Sequence, residues 1–147
     1  MGWDIESHAE KRAHNGWIRI HGIKPFTQRN YGVFGFLADV MNLSAVTPIS
    51  RPRGVPPDAS DEVNAACKEC AGDVTAASWL SIAELTNFDY DVEIEDRRVR
   101  IGGSAGTCPP GQGRRMSFRE FLEPPFFEDL EALKKAGAER VVFWFNH

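Results

Sequence analysis

The chain has 147 residues, 42% of them hydrophobic and 26% charged, which is the size of one ordinary domain with enough apolar material for its own core. It is too apolar for a disordered chain, and no apolar run approaches the roughly 20 residues that a bilayer span needs, so no membrane partner is expected. The opening Met1-Gly2-Trp3-Asp4 lacks the basic-then-apolar pattern of a secretion signal, and three irregularly spaced cysteines make no disulfide framework; a reducing cytoplasm is the expected setting.

Charge is unevenly spread. Residues 58–96 hold eleven acidic side chains against one basic, while both flanks are net positive and the whole chain is −4. A pI near 5.6 argues against direct nucleic-acid binding. The arginines cluster as Arg51 and Arg53, then Arg97, Arg98 and Arg100, then Arg114 and Arg115. Solvated charges balancing the acidic middle account for such clusters, and so does a pocket for an anion, because guanidinium forks match phosphate geometry.

In chain order, Gly2 to Glu10 alternates as a strand, His14-Asn15-Gly16 supplies a turn, and Trp17 to Ile20 reads as the antiparallel partner. Asn30 caps a helix expected from Tyr31 to about Met41, although Gly32 and Gly35 lower its propensity. A Pro- and Ser-rich connection follows to Ala59. Ser60-Asp61-Glu62 opens a helix to about Ala71, and Ser81-x-x-Glu84 is a capping box for a short helix ending near Asn87. Residues 92–101 read as a hairpin around Glu95-Asp96, and Gly102 to Arg115 as a flexible Gly/Pro loop. Ser117 to Glu120 is a second capping box, Pro125 opens a helix stopped by Gly137, and the Val-Val-Phe-Trp-Phe run before Asn146, apolar on both faces, is expected as an interior strand. The sum is one α+β domain over 1–147, with three to four helices and a mostly antiparallel sheet built from the N-terminal hairpin, the 92–101 hairpin and the C-terminal strand.

Three local patterns carry chemistry. Asp4, Glu6, His8 and Glu10 share one face of the first strand, as strand-borne metal ligands or acid/base pairs do; with no second ligand cluster at recognisable spacing, a half-exposed strand with a charged outer face is the simpler reading. Cys67-x-x-Cys70 puts two thiols on one helix face with only Cys108 as a third partner, which falls short of a zinc set. The 102–113 loop lacks the Gly-Lys-Ser/Thr ending of a P-loop, and no Gly-x-Ser-x-Gly elbow accompanies the four histidines.

Five separated stretches, Met1-Gly2-Trp3-Asp4-Ile5-Glu6, Arg29-Asn30-Tyr31, Pro52-Arg53-Gly54-Val55-Pro56, Ser78-Trp79-Leu80 and Val142-Phe143-Trp144-Phe145-Asn146, occur in the order and spacing of a known set. In these stretches the chain resembles a family of small, mostly uncharacterised proteins of tailed phages and prophages, which begin Met-Gly-Cys-Asp-Ile-His and end Val-Phe-Trp-Phe-Asp-Asn. The likeness is weakest over 91–115. Trp3, Glu6, Ala77 and Asn146 stand where that family has Cys, His, His and Asp, so a metal set in the family would be incomplete here, with Asp4, His8 and Glu10 remaining.

Retained arginine, amide and aromatic groups favour binding over catalysis. The expectation is therefore a phage accessory protein of the host cytoplasm that counters host defence by sequestering an anionic, nucleotide-like small molecule, with no cofactor. Its site would use Arg29, Asn30, Tyr31, Arg53, Ser78, Trp79, Arg97, Arg98 and Arg100, with phosphates on the arginines and Tyr31 or Trp79 on the base. The alternatives are an inhibitor of a host defence protein complex, anti-CRISPR-like, docking through acidic 58–96, and a metal-dependent hydrolase using Asp4, Glu6 and His8. A homo-oligomer is compatible with each of these.

Overall fold

The computed structural model describes residues 2–147, and the fold is α+β. Alternation gives β1 (Asp4–Ala13), and a two-residue turn at His14-Asn15 returns the chain as β2 (Gly16–Ile20). The helices are α1 (Tyr31–Ala38), α2 (Asp61–Glu69), α3 (Ile82–Asn87), α4 (Phe118–Leu122) and α5 (Pro124–Lys135), interleaved with β3 (Thr75–Ser81), β4 (Glu93–Asp96), β5 (Arg98–Ile101), β6 (Ser104–Thr107) and β7 (Arg114–Ser117). The chain's last strand is β8 (Arg140–Asn146). Side-chain caps start the helices where the sequence places them: Asn30 for α1, Ser60 for α2, a complete Ser81/Glu84 box for α3, and Ser117 for α4.

The main sheet runs β2-β1-β8-β3 with every neighbouring pair antiparallel. β8 is interior, as its apolar composition requires, and Val141 to Phe145 are almost wholly buried. One sheet face carries Ile5, Ala9, Leu80, Val141, Phe143 and Phe145, all buried. The other carries Val142 and Trp144, which pack with Ala59 and Val63 and are flanked by Ala66, Cys67, Cys70 and Trp79. Asp4, Glu6, His8 and Glu10 of β1 lie on this second face, so the face expected to be charged and outer is largely covered, with His8 and Glu10 buried.

Three expectations are corrected. The 92–101 segment is not a hairpin and does not join the main sheet: β4 pairs with β7 and β5 with β6, each as a two-stranded ladder. The turn at Glu95-Asp96 fails because Arg98 returns to the Asp96 carboxylate, its Nε and its main-chain N–H both donating to Oδ1 (2.9 and 3.1 Å), which redirects the strand rather than folding it back. The Gly/Pro loop therefore contains β6 and the start of β7. Helix α1 ends at Ala38 rather than near Met41, because Asp39 is left-handed (φ 61°) and its N–H bonds the carbonyls of Phe34 and Gly35. Strand β3 carries no sequence signal, since Thr-Ala-Ala-Ser-Trp-Leu-Ser has little β-branched character and Ala76 has φ 51° at a register shift.

The chain packs as two compact units. The first comprises the chain up to Arg29, Pro52–Phe88 and Pro125–His147, and contains the main sheet, α2, α3 and nearly all of α5. In it the Phe26 and Phe126 rings stack at 4.8 Å. The second, Asn30–Arg51 and Asp89–Pro124, holds α1, α4 and the two ladders, with Phe36 against Phe118 (5.3 Å) and Tyr90 (5.9 Å).

Candidate functional site

The register of the main sheet assembles a polar row on its α2-side face. Glu10 lies opposite both Arg140 of β8 and Arg19 of β2, Trp17 opposite Arg12, and Arg140 opposite Ser81 of β3. Arg140 is the hub. Its Nε donates to Glu10 Oε1 at 2.7 Å and its Nη1 to Asp58 Oδ1 at 3.0 Å, and its guanidinium lies 3.6 Å from the Trp17 ring centroid and 5.9 Å from that of Trp79. Glu10 is fully buried and its other oxygen accepts from Ser60 N–H at 2.7 Å, which ties the start of α2 to the sheet. Asp58 keeps an exposed carboxylate, held below the usual range chiefly by its bond to Arg140, and it also accepts from Trp17 Nε1 at 3.0 Å.

Above this row lies a groove of about 630 Å³, lined by Arg12, Trp17, Pro56, Pro57, Asp58, Trp79, Ser81, Glu139 and Arg140. Two tryptophans and two prolines give it flat apolar walls. Arg12, 75% exposed and 3.8 Å from its nearest carboxylate at Glu139, is its least committed cation.

Of the expected site residues, Arg53, Ser78 and Trp79 come together in this unit. Arg53 N–H donates to Ser78 Oγ (3.0 Å), its guanidinium lies 4.7 Å from the Trp79 ring centroid, and it forks onto Glu84 at 2.8 and 2.5 Å. Gly54 N–H bonds Ala77 O at 2.8 Å, so the Pro-Arg-Gly and Ser-Trp stretches hold each other. The Arg53 fork is thus filled by a carboxylate of the protein. The same holds for Arg29, which grips Asp4 through three bonds of 2.8–3.0 Å.

The second unit holds Asn30, Tyr31, Arg97, Arg98 and Arg100. Asn30 accepts from Gly32 N–H and Arg98 and donates to Glu123, so it organises the start of α1. Tyr31 meets Phe34 at 5.6 Å. Arg98 is spent on Asp96, Asn30 and the Phe121 ring, Arg97 donates to Cys108 O, and Arg100 donates to Gly103 O. The glycine loop cradles a carboxylate instead of a phosphate: Gly111 and Gly113 N–H donate to Glu95, and those two bonds hold its carboxyl low.

Asp4, Glu6 and His8 are not brought together as ligands. Asp4 faces Arg29, while Glu6 joins His8 Nε2 (2.8 Å) to Cys70 Sγ (3.5 Å). Among the described residues no group of three or more His, Cys, Asp or Glu is arranged to hold a metal. Burial lowers the His8 pKa and raises that of Cys70, so neither is primed as a charged catalytic group. The three cysteines are free thiols.

Sequence reasoning missed Arg12, Trp17, Pro56, Pro57, Asp58 and Arg140. The usable signal was the second strand face: Trp17 and Arg12 follow the same alternation as Glu6, His8 and Glu10. The chain matches no family model, no curated protein and no solved structure. No helix among the described residues is long and apolar enough to cross a membrane.

Proposed function

We propose that this chain is a phage accessory protein that counters host defence in the host cytoplasm by binding an anionic, nucleotide-like molecule in the Trp17–Trp79 groove. The observation that carries the reading is the pairing of two tryptophan walls with Arg12 and Arg140 in a groove of about 630 Å³, within the range of small-molecule sites. A base stacks on an indole and a phosphate meets Arg12, with Asp58 as the carboxylate that the phosphate must displace from Arg140. The phage and anti-defence parts rest on the five stretches described above, four of which have residues in contact: Asp4 with Arg29, and Arg53 with Ser78 and Trp79.

Tryptophan fluorescence titrated with mononucleotides and cyclic dinucleotides tests the reading. Binding should weaken by about 1–3 kcal/mol in Trp79→Ala, the scale of one stacked base. Asp58→Asn should strengthen it, because a competing carboxylate is gone. The ligand should be recovered chemically intact. Absence of binding across the panel, or weaker binding by Asp58→Asn, sinks the proposal. Docking through acidic 58–96 has less to stand on, since Asp58, Glu62, Glu84, Asp91, Glu93 and Asp96 are already engaged by basic side chains.

A further inference from the structure

The main sheet has two edges, β3 and β2, and the chain treats them differently. Along β3 the outward carbonyls are taken: Gly54 N–H bonds Ala77 O at 2.8 Å and Arg53 Nη1 bonds Trp79 O at 3.1 Å. A register shift between Thr75 and Ser78 also breaks the line of that strand. Cover and irregularity of this kind keep a sheet edge from pairing with other chains. β2 has neither. Its register with β1 is unbroken from Gly16 to Ile20, and it holds no proline. The two-residue turn is closed by the Ala13–Gly16 pair, so Ile18, opposite Lys11, spends its main-chain groups on β1. Those of Trp17 and Arg19 point away from the sheet, and among the described residues no other segment bonds them.

The surroundings leave this line open. Helix α2 packs through Val63 onto Val142 and Trp144 of β8, two strands inward, and meets the end of β2 through Glu62, at Arg19 (3.8 Å) and His21 (2.9 Å). Ile18, 43% exposed, is the one large apolar side chain of the main sheet left in solvent among the described residues. The strand is also its own complement. Laid antiparallel to a second β2 about Ile18, Trp17 falls opposite Arg19 twice, which makes four main-chain bonds, and Ile18 falls opposite Ile18 in the closest kind of cross-strand pair. Each Arg19, whose ion pair with Glu62 is a long one, then sits beside an indole of the other copy. An axis on Arg19 would set arginine against arginine, and an axis on Trp17 would set Ile18 against Gly16, so Ile18 is the favoured centre.

We infer that β2 is a self-association edge: two copies of this chain join by antiparallel β2–β2 pairing centred on Ile18, and their two main sheets become one. The contact uses the same patch on both copies, so it closes as a dimer, and the covered β3 edge cannot extend the sheet further. Five residues give about 17 Å of edge, a small interface, so the dimer is weak and forms as concentration rises.

The test uses the whole isotope-labelled chain. Sedimentation should show monomer at micromolar and dimer at millimolar concentration. Over that range exchange of the Trp17 and Arg19 amides should slow by about tenfold or more, while that of Ile18, already bonded to β1, changes little. Ile18→Lys sets two like charges on Cα atoms about 4.5 Å apart and should raise the concentration needed for dimer by about tenfold or more. Ile18→Glu should do the same, and circular dichroism checks that both variants fold. An equimolar mixture of the two should dimerise about tenfold better than either alone, because opposite charges then meet on the axis. A chain that stays monomeric at millimolar concentration overturns the inference, as does a dimer that neither variant weakens or a mixture that gains nothing. Slow exchange of Trp17 and Arg19 in the dilute monomer overturns it too, because the chain would then cover its own edge.

Discussion

At the scale of single residues, the arginines of this protein are mostly answered from within. Arg53 illustrates the consequence. Its fork on Glu84 lowers that carboxyl from 4.5 to about 2, helped by the Ser81 main-chain bond of the capping box. Both side chains are partly exposed, so the pair contributes on the order of 1 kcal/mol or less after screening. Arg53→Lys should therefore lower the melting temperature slightly while leaving nucleotide affinity nearly unchanged, the behaviour of a structural arginine. Because the folded pKa is depressed, the unfolded chain takes up the proton first. The contribution is complete above about pH 4.5 and fades as pH falls towards 2, so Glu84→Gln should remove that slope from an acid-unfolding curve. His8 acts at higher pH. Burial lowers its pKa, the unfolded imidazole protonates more readily, and stability is lost as pH drops through the ordinary histidine value of 6.5. Far costlier is the buried pair: Glu10 and Arg140 side chains are 0% and 5% exposed, and Glu10→Gln should cost about 3–5 kcal/mol in urea unfolding, because the buried guanidinium then keeps only the exposed Asp58 as its counter-charge.

At the scale of elements, helix α1 shows why propensity alone misleads. Gly32 and Gly35 look like defects in an apolar helix, yet a Cβ on Gly35 would sit 2.8 Å from Asn42 Oδ1 and 3.1 Å from Asn42 Cα, and one on Gly32 would sit 3.0 Å from the Phe121 ring. Asn42 cannot yield easily, since its side chain bonds Asp39 and both main-chain groups of Val46. Gly35→Ala, which would stabilise an isolated helix by roughly 0.5–1 kcal/mol, should instead destabilise the protein by about 1–3 kcal/mol in denaturant unfolding. Caps and periods were legible in the sequence: Asn30, Ser60, Ser81 and Ser117 mark helix starts, and the alternation of β1 assigns each residue to the correct face. What covers that face was not legible. Burial of Glu10 depends on Arg140, 130 positions away, and on Ser60 N–H, neither of which local patterning encodes. For the same reason the groove residues Trp17, Asp58 and Arg140 escaped notice, while Arg97, Arg98 and Arg100 drew attention through mere adjacency in the chain.

At the scale of the whole molecule, the order of strands in the chain sets a constraint on folding. β8 comes after all its sheet partners in chain order, and it lies between β1 and β3, supplying a partner to both. Without it β1 has only β2, and a lone two-stranded hairpin is marginal in water. β3, poor in β-formers, has no other strand neighbour in the sheet. The Trp144 side chain, fully buried with Val63, Val142 and Ala59, is also the largest piece of the core on the α2 side. The sheet of the first unit therefore cannot close until β8 is in place, and its β1–β8 pairing carries high loop-closure entropy. A chain ending at Glu139 should show neither the near-ultraviolet dichroism nor the dispersed amide spectrum of the intact protein. Trp144→Ala, which keeps the ladder but removes the indole, should fold with a loss of about 3–5 kcal/mol. If the shortened chain gave a native-like spectrum for residues of β1 and β3, β8 would be an addition to a sheet that stands without it, and the central place assigned to this strand in the energetics would be wrong.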